Sequence, residues 1–150
     1  MTFTRRRPQT FRLGPGQHPA KELWWRVPYT VLIVDDNPYV RIALRDHIER
    51  STDWQVCGQA ENGKVAVEQV IALRPDVVIL DLQMPVMNGL EAAREINAVA
   101  PGTKMIMFTM HSSAQLEKDA RAAGIRGVVS KTGRTAEHLL AALRDLDHRP

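Results

Sequence analysis

Residues 31–36 read VLIVDD and residues 77–81 read VVILD, and these two stretches decide the fold. Each begins with four consecutive aliphatic residues, which is enough for one buried strand and too short for a helix. Neither run alternates with polar residues, as is typical of parallel strands that helices cover on both faces. An aspartate follows each run directly, Asp35 after the first and Asp81 after the second. If the two strands are parallel neighbours in one sheet, their carboxylates meet at the same edge.

The rest of the chain from Thr30 onward repeats this alternation of strand and helix. We predict strands near residues 30–34, 54–59, 76–80, 104–108 and 126–130. Helical periodicity or alanine-rich sequence fills the gaps, most clearly in three stripes of apolar residues. The stripes are Val40, Ala43, Leu44 and Ile48; Val67, Val70 and Ile71; and Leu139, Ala142, Leu143 and Leu146. Five such repeats predict an α/β, doubly wound domain with a parallel sheet.

Two local signals set helix boundaries. Asn37 followed by Pro38 suits the start of the first helix, with proline at its first position. Gly124 suits the end of the fourth helix, because glycine readily takes the left-handed conformation found there. We expect both to be structural features.

The net charge of +3 hides a division of the chain. Residues 1–29 carry six basic residues and one acidic residue, a net of +5, whereas the remainder carries 14 basic and 16 acidic residues, a net of −2. We therefore interpret residues 1–28 as a basic, flexible N-terminal tail, with Trp24 and Trp25 near its end, and residues 29–150 as one folded domain. The basic stretch lies in the tail, so we expect no nucleic-acid binding by the folded domain.

Cys57 is the only cysteine, which rules out an intrachain disulfide. We interpret it as a small apolar residue in a strand. No apolar run approaches the roughly 20 residues of a membrane span. The arginine-rich start is not followed by the apolar segment of a secretory signal, so we expect a cytoplasmic protein without a membrane segment.

Polar residues follow four of the predicted strands. Asp35 and Asp36 follow the first strand, Asp81 the third, Thr109 the fourth and Lys131 the fifth. Open α/β sheets bind ligands at this carboxyl edge. Three aspartates would repel one another there unless a cation such as Mg²⁺, which prefers carboxylate oxygens, lay between them. An aspartate beside Mg²⁺ and lysine can attack phosphorus, and Asp81 is the best candidate because it lies between the acidic pair and Thr109.

Each of these residues alone has an ordinary structural interpretation. An aspartate after a strand is most often a helix cap or a turn residue, and a single lysine or threonine there is unremarkable. The coincidence of all five at the carboxyl ends of one set of strands favours a functional site.

Four segments together resemble the receiver domain of two-component response regulators, over about residues 30–146. They are VLIVDDN at 31–37, DLQMPVMNG at 81–89, TMH at 109–111 and SK at 130–131. The TMH segment is similar to receivers that often precede a helix-turn-helix output domain. The resemblance implies a flavodoxin-like sheet of strand order 2-1-3-4-5, with helices on both faces.

The resemblance also implies a function. Asp81 would accept a phosphoryl group from a histidine kinase or phosphotransfer protein, and the chain would catalyse only its own phosphotransfer and dephosphorylation. Asp35, Asp36, Asp81 and the backbone carbonyl of Gln83 would hold Mg²⁺, while Thr109 and Lys131 would bind the phosphoryl group. Output would be a contact with a downstream protein, or a homodimer, through the fourth helix, fifth strand and fifth helix.

Three positions depart from the family's pattern or leave a role open. Val128 stands where the family commonly has tyrosine or phenylalanine, so the usual switch with a rotating aromatic side chain cannot be assumed. Thr132 stands where a proline usually follows the lysine. His111 could affect water access to an acyl phosphate, although a solvated loop histidine is its simpler interpretation.

Two other functions stay open. An unphosphorylated receiver-like adaptor would keep the fold only as an interaction surface, which Val128 mildly favours and the complete acidic set opposes. A haloacid-dehalogenase-like phosphohydrolase would need a second aspartate two residues after its nucleophile, and Asn37 stands two residues after Asp35. Trp54 or a tryptophan of the tail is a candidate fluorescence reporter of Mg²⁺ binding that would separate a receiver from an adaptor.

Overall fold

A computed structural model of the protein describes residues 28–147. The predicted tail of residues 1–28, including Trp24 and Trp25, lies outside the described residues except for Pro28, and so do residues 148–150. The division of the chain at residue 28 therefore stays a prediction. No helix within residues 28–147 has both the length and the apolar character needed to cross a bilayer.

Five strands and five helices alternate along the described chain. In order they are β1 (Thr30–Val34), α1 (Pro38–Ser51), β2 (Gln55–Ala60), α2 (Gly63–Leu73), β3 (Val77–Leu80), α3 (Gly89–Val99), β4 (Lys104–Thr109), α4 (Ala114–Ala122), β5 (Gly127–Ser130) and α5 (Thr135–Leu146). All strand pairs are parallel, and the sheet order is β2-β1-β3-β4-β5. The expected flavodoxin-like architecture is confirmed.

The alternating side chains of the strands divide the core into two clusters. On one face, Leu32, Val78 and Met105 pack with residues of α2, α3 and α4. On the other face, Ile33 and Ile79 pack with residues of α1 and α5. Both faces are apolar because helices cover both, which explains why the central strands show no polar alternation.

Two predicted members of the helix stripes face solvent. Ala43 of α1 is exposed, and Ile71 of α2 is 50% exposed. The buried face of α1 is narrow and contains Leu44 and Ile48, one turn apart. A residue next in sequence to a buried one is turned by about 100° around the helix, so each of the two lies outside the packed stripe.

The predicted helix boundaries are confirmed. The side chain of Asn37 accepts a hydrogen bond from the backbone N–H of Tyr39, and Pro38 is the first residue of α1. Gly124 has φ of +88° just beyond α4, where the N–H of Ile125 donates to the carbonyl of Ala120 at 2.9 Å. This left-handed residue lets the chain turn back and bury Ile125 under the sheet.

Cys57 lies in β2, where it is half-buried and its thiol is 3.5 Å from the carbonyl oxygen of Val31. Burial raises the pKa of the Cys57 thiol to about 11, so the thiol stays protonated at neutral pH. Because the thiolate is the reactive form, the raised pKa lowers the reactivity of this cysteine. Its interpretation as a small packing residue fits this environment.

Candidate functional site

The polar residues that follow the strands lie together at the carboxyl edge of the sheet. Asp35 and Asp81 directly follow β1 and β3, Thr109 ends β4, and Lys131 directly follows β5. They line one cleft of about 410 Å³, whose walls also include Asp36 and Gln83. The parallel strands therefore bring together all six residues that the sequence analysis singled out. The strand order brings the residues after β1, β3 and β4 close together, because these three strands are neighbours at the centre of the sheet.

Three carboxylates form the acidic part of this cleft. Asp35, Asp36 and Asp81 each offer one oxygen, and these oxygens lie within 4.8 Å of one another. The ligands of a single octahedral Mg²⁺ stand at about 2.1 Å from it, which puts them within roughly 4.2 Å of each other. A contraction of about half an ångström would therefore satisfy that geometry. The donor set consists of hard carboxylate oxygens, so the cluster can hold a divalent cation such as Mg²⁺.

Lys131 bridges two of the acids. Its Nζ lies 2.6 Å from Oδ2 of Asp35 and 3.4 Å from Oδ2 of Asp81. The ammonium group is also 5.5 Å from the centroid of the Phe108 ring. One half-buried cation therefore faces a pair of buried carboxylates, and the cleft keeps an excess of negative charge.

The crowded environment changes the pKa of Asp81. Burial raises the pKa of Asp81 above its ordinary value, and the neighbouring charge of Asp35 raises it further. The ammonium of Lys131 and a 2.8 Å hydrogen bond from the backbone N–H of Leu82 oppose that rise. A bound cation would favour the ionised form of Asp81, which is the form that can act as a nucleophile.

Gly89 permits a close approach of α3 to the backbone of Asp81. A Cβ at position 89 would lie 2.1 Å from the carbonyl oxygen of Asp81, closer than any real contact. The N–H of Gly89 donates to the carbonyl of Leu82 at 2.8 Å, which ties the start of α3 to the residue after Asp81. The structure thus gives a steric reason for glycine at this position of the DLQMPVMNG segment.

The loop between β3 and α3 also holds a strained residue. Val86 has φ of +71°, a conformation that β-branched residues rarely adopt, and it is 76% exposed. The N–H of Met87 donates to the carbonyl of Pro85 at 2.8 Å, which closes a tight turn around Val86. Strain of this kind tends to occur in loops next to functional sites.

Two residues near the cleft were given little or no weight by the sequence analysis. Arg41 of α1 donates from Nη1 to the carbonyl oxygen of Asp35 at 2.7 Å. His111 lines the cleft and is exposed, and its backbone N–H lies 3.4 Å from the hydroxyl of Thr109. No pattern in the sequence points to Arg41, because its acceptor is a backbone oxygen and any residue type can supply one.

Comparison with known proteins gives a consistent family assignment. The response regulator receiver domain family matches residues 31–144. The chemotaxis protein CheY of Thermotoga maritima is 38% identical over 101 residues, which are 67% of this chain and 83% of that protein. A crystal structure of a LuxR-family two-component response regulator from Aurantimonas sp. SI85-9A1 is 32% identical with a TM-score of 0.75, covering 81% of this chain and 87% of that one.

Longer proteins also contain a similar segment. A protein-glutamate methylesterase/protein-glutamine glutaminase of Methanosarcina acetivorans is 40% identical over 107 residues, which are 71% of this chain. This chain spans only 30% of the length of that relative. The similarity therefore concerns one domain of the methylesterase and carries no argument about its enzymatic activity.

Proposed function

The chain belongs to the response regulator receiver domain family, and we propose that it is a signalling protein controlled by phosphorylation of Asp81. The phosphoryl donor would be the phosphohistidine of a histidine kinase or of a phosphotransfer protein. The observation that carries this proposal is the meeting of Asp35, Asp36 and Asp81 in one cleft with Lys131. Three ionised carboxylates this close repel one another, and Lys131 supplies one compensating charge for the three.

Mg²⁺ is the cofactor that fits this cleft. Asp35, Asp36 and Asp81 would hold it with their carboxylates, and Gln83 would add its backbone carbonyl. When bound, Mg²⁺ would neutralise the acids and balance the charge that develops on the phosphoryl oxygens. The closeness of the three carboxylate oxygens and the raised pKa of Asp81 support a cation at this position.

Asp81 is suited to the role of nucleophile. One of its oxygens accepts the hydrogen bond from Leu82, whereas Oδ2 faces Lys131. In the transfer, a carboxylate oxygen of Asp81 forms a bond to phosphorus while the P–N bond of phosphohistidine breaks. The imidazole leaves with the electron pair, and it needs no proton from Asp81. Lys131 would stabilise the charge on the phosphoryl oxygens throughout.

Thr109 and Val128 bear on the response to phosphorylation. We propose that the Thr109 hydroxyl binds a phosphoryl oxygen, which shifts the population toward a second arrangement of α4 and β5. Val128, one strand away, is partly buried and packs against the core cluster under α2, α3 and α4. Because valine has no ring that could rotate between two sites, the shift would proceed without the family's usual aromatic switch.

The output would be contact between proteins in the cytoplasm. The surface of α4, β5 and α5 would bind a downstream protein or a second copy of the chain. Arg121 of α4 and Arg126 just before β5 are exposed, and so is the acid Glu117 of α4, so this surface offers charged groups of both signs to a partner.

The proposal is tested by intact-mass measurement after incubation with a small phosphodonor such as acetyl phosphate. The wild-type protein should gain one phosphoryl group only when Mg²⁺ is present, and hydroxylamine should remove it. Asp81→Asn should gain none, whereas Asp46→Asn, a change in an exposed acid of α1, should behave like wild type.

An adduct that persists in Asp81→Asn would place the phosphoryl group elsewhere and contradict the proposal. A folded wild-type protein that never gains a phosphoryl group would favour the alternative function, an unphosphorylated adaptor.

A further inference from the structure

Arg41 joins three elements of the fold beside the acidic cleft. It lies in the first turns of α1 and is half-buried. Its Nη1 donates to the carbonyl oxygen of Asp35 at 2.7 Å, and its Nε donates to Oε1 of Gln59 in β2 at 3.2 Å. The guanidinium fork thus connects the loop after β1 with both the helix that follows it and the neighbouring strand.

Gln59, the residue of β2 that Arg41 contacts, is itself held in place. The side-chain amide of Gln69 in α2 donates to the backbone carbonyl of Gln59 at 2.6 Å. The contacts therefore run from α2 through Gln59 and Arg41 to Asp35. A chain of hydrogen bonds anchored at both ends restricts the position of the loop more than a single contact can.

Each polar atom of Asp35 has a hydrogen-bond partner. Its backbone N–H donates to Ala60 at 3.0 Å, and its two carboxylate oxygens accept from the N–H of Asn37 at 2.9 Å and from Lys131 at 2.6 Å. Arg41 supplies the partner for the remaining polar atom, the backbone carbonyl oxygen. The side chain and main chain of this residue, which is only 2% exposed, are thereby fixed relative to Asp81.

We propose that Arg41 is a positioning residue for the metal site, acting through the backbone of Asp35. This inference rests on the proposed function, because it assigns Arg41 to the Mg²⁺ site of that function. The carboxylates of Asp35 and Asp36 follow the main chain of this loop, and Mg²⁺ tolerates little deviation from ligands at about 2.1 Å. Arg41 does not line the cleft, so it would affect the affinity of the site for Mg²⁺ and leave the chemical step alone.

Lysine cannot replace arginine here. The two contacts of Arg41 use two different nitrogens of one planar group, which bond a backbone oxygen and a side-chain oxygen at the same time. A lysine ammonium is a single point of contact and would keep at most one of them in the same geometry. Graded effects in Arg41→Lys and Arg41→Met therefore distinguish positioning from a mere requirement for positive charge.

The test measures Mg²⁺ affinity by isothermal titration calorimetry, together with the rate of phosphorylation by acetyl phosphate as a function of Mg²⁺ concentration. Arg41→Met should raise the dissociation constant for Mg²⁺ about tenfold, the low end of the effect of residues that support metal ligands. Arg41→Lys should give a smaller increase. At saturating Mg²⁺ both variants should be phosphorylated within about twofold of the wild-type rate, because the chemical groups are intact.

The matched control is Arg45→Met, one turn further along α1. Arg45 pairs with Glu49 at 3.6 Å on the surface and is 53% exposed, so its removal takes the same charge from the same helix without touching Asp35. Wild-type Mg²⁺ affinity in Arg45→Met is the expected result. An equal loss of affinity in Arg45→Met would overturn the inference in favour of a general charge effect.

Gln59→Ala provides a second variant that removes the other contact of Arg41 without changing charge. A weaker loss of Mg²⁺ affinity is expected, with the rate at saturating Mg²⁺ preserved. Unchanged Mg²⁺ affinity in Arg41→Met and Gln59→Ala, with a wild-type protein that is phosphorylated normally, would overturn this inference and leave the proposed function standing. A wild-type protein that binds no Mg²⁺ would overturn both.

Discussion

The two edges of the sheet use polar residues in opposite ways. At the amino edge, the backbone N–H and the hydroxyl of Thr30 both donate to Oδ2 of Asp76, at 2.8 and 3.0 Å. The backbone N–H of Asp76 donates back to the carbonyl of Thr30 at 3.0 Å. At the carboxyl edge, three acids crowd together, and the ammonium of Lys131 pairs with two of them, Asp35 and Asp81. Hydrogen-bond donors and acceptors match at the amino edge, whereas like charges repel one another at the carboxyl edge.

The end of α5 is also held at the amino edge. The indole N–H of Trp54 donates to Asp147 at 2.8 Å, and both Lys104 and Tyr29 donate to the carbonyl of Leu146. The two bonds to Leu146 satisfy a backbone carbonyl that the end of a helix leaves unpaired. Polar groups at the edge opposite the cleft therefore have partners within the protein, while the cleft keeps charges that only a ligand can balance. Such a division is expected where function is served at some expense of stability.

The position of Trp54 bears on its use as a fluorescence reporter of Mg²⁺ binding. It directly precedes β2, so it lies at the amino edge, whereas the acids follow the other ends of the strands. A buried indole at the far side of the sheet is not a local reporter of the cleft. The expectation that Trp54 fluorescence would follow Mg²⁺ binding is therefore not supported by its position, and calorimetry is the better measurement.

The largest effect should come from steric crowding at the carboxyl edge. Gly89→Ala places a methyl group where the carbonyl oxygen of Asp81 lies, so either α3 or the loop after β3 must shift. We expect a loss of about 3 kcal/mol in the free energy of unfolding, at the upper end of overpacking effects, and slower phosphorylation of Asp81. Chemical denaturation measures the first and intact mass the second.

Gly102→Ala is the control for this change, because a Cβ at position 102 meets no atom within 4 Å. Wild-type stability in Gly89→Ala would show that the close approach between α3 and Asp81 is not rigid.

The second prediction tests the matched pair at the amino edge. Asp76→Ala leaves the buried backbone N–H and hydroxyl of Thr30 without their carboxylate partner, which should cost about 2 kcal/mol. Asp76→Asn keeps an oxygen acceptor and should cost less. Mg²⁺ affinity should be unchanged in both, since the change lies at the edge opposite the cleft. A clear loss of Mg²⁺ affinity would contradict the separation of the two edges.

The third prediction concerns the pH dependence of the crowded edge. Because the pKa of Asp81 is raised in the folded protein, the folded state holds its proton more tightly than the unfolded state. Wild-type protein without Mg²⁺ should therefore lose stability relative to Asp81→Asn as the pH rises from 3.8 through the folded-state pKa. Above that pKa the variant should keep a higher melting temperature, by about 3 °C for each kcal/mol in a domain of this size. Identical pH profiles for the two proteins would contradict a pKa of Asp81 that is raised by burial and by the charge of Asp35.

The smallest expected effect lies at the end of α5. Trp54→Phe keeps most of the buried ring area but removes the hydrogen bond to Asp147, at a cost of about 1 kcal/mol. The phosphorylation rate should not change. Thermal unfolding measures the cost, and a slower phosphorylation of Trp54→Phe would show that this end of α5 influences the cleft.

Patterns along the sequence predicted the sheet and the cleft because both depend on local signals. The runs before Asp35 and Asp81 were recognisable as buried strands, and parallel strands necessarily end at one edge. The buried faces of the helices were predicted less accurately than the strands. Ala43 and Ile71 were placed in apolar stripes, although both are exposed. Small and β-branched residues occur on either side of a stripe boundary, so periodicity alone does not locate that boundary.

Hydrogen bonds between distant parts of the chain could not be predicted from patterns. Trp54 and Asp147 are 93 residues apart, and nothing in either neighbourhood marks the pair. Arg41 donates to the backbone carbonyl of Asp35, and Lys104 donates to that of Leu146; a backbone carbonyl carries no signature in the sequence. Such bonds follow from tertiary placement, and only coordinates reveal them.

The central claim is that the acids at the carboxyl edge form one metal site whose charges are in conflict until a cation binds. Its most direct test is the melting temperature of wild type and Asp81→Asn at pH 7 during titration with MgCl₂, with NaCl at equal ionic strength as the control. Mg²⁺ should stabilise the wild type by about 1.4 kcal/mol at ten times its dissociation constant. Asp81→Asn should start from a higher melting temperature and gain much less. Equal gains in the two proteins, or no gain beyond that from NaCl, would contradict the account.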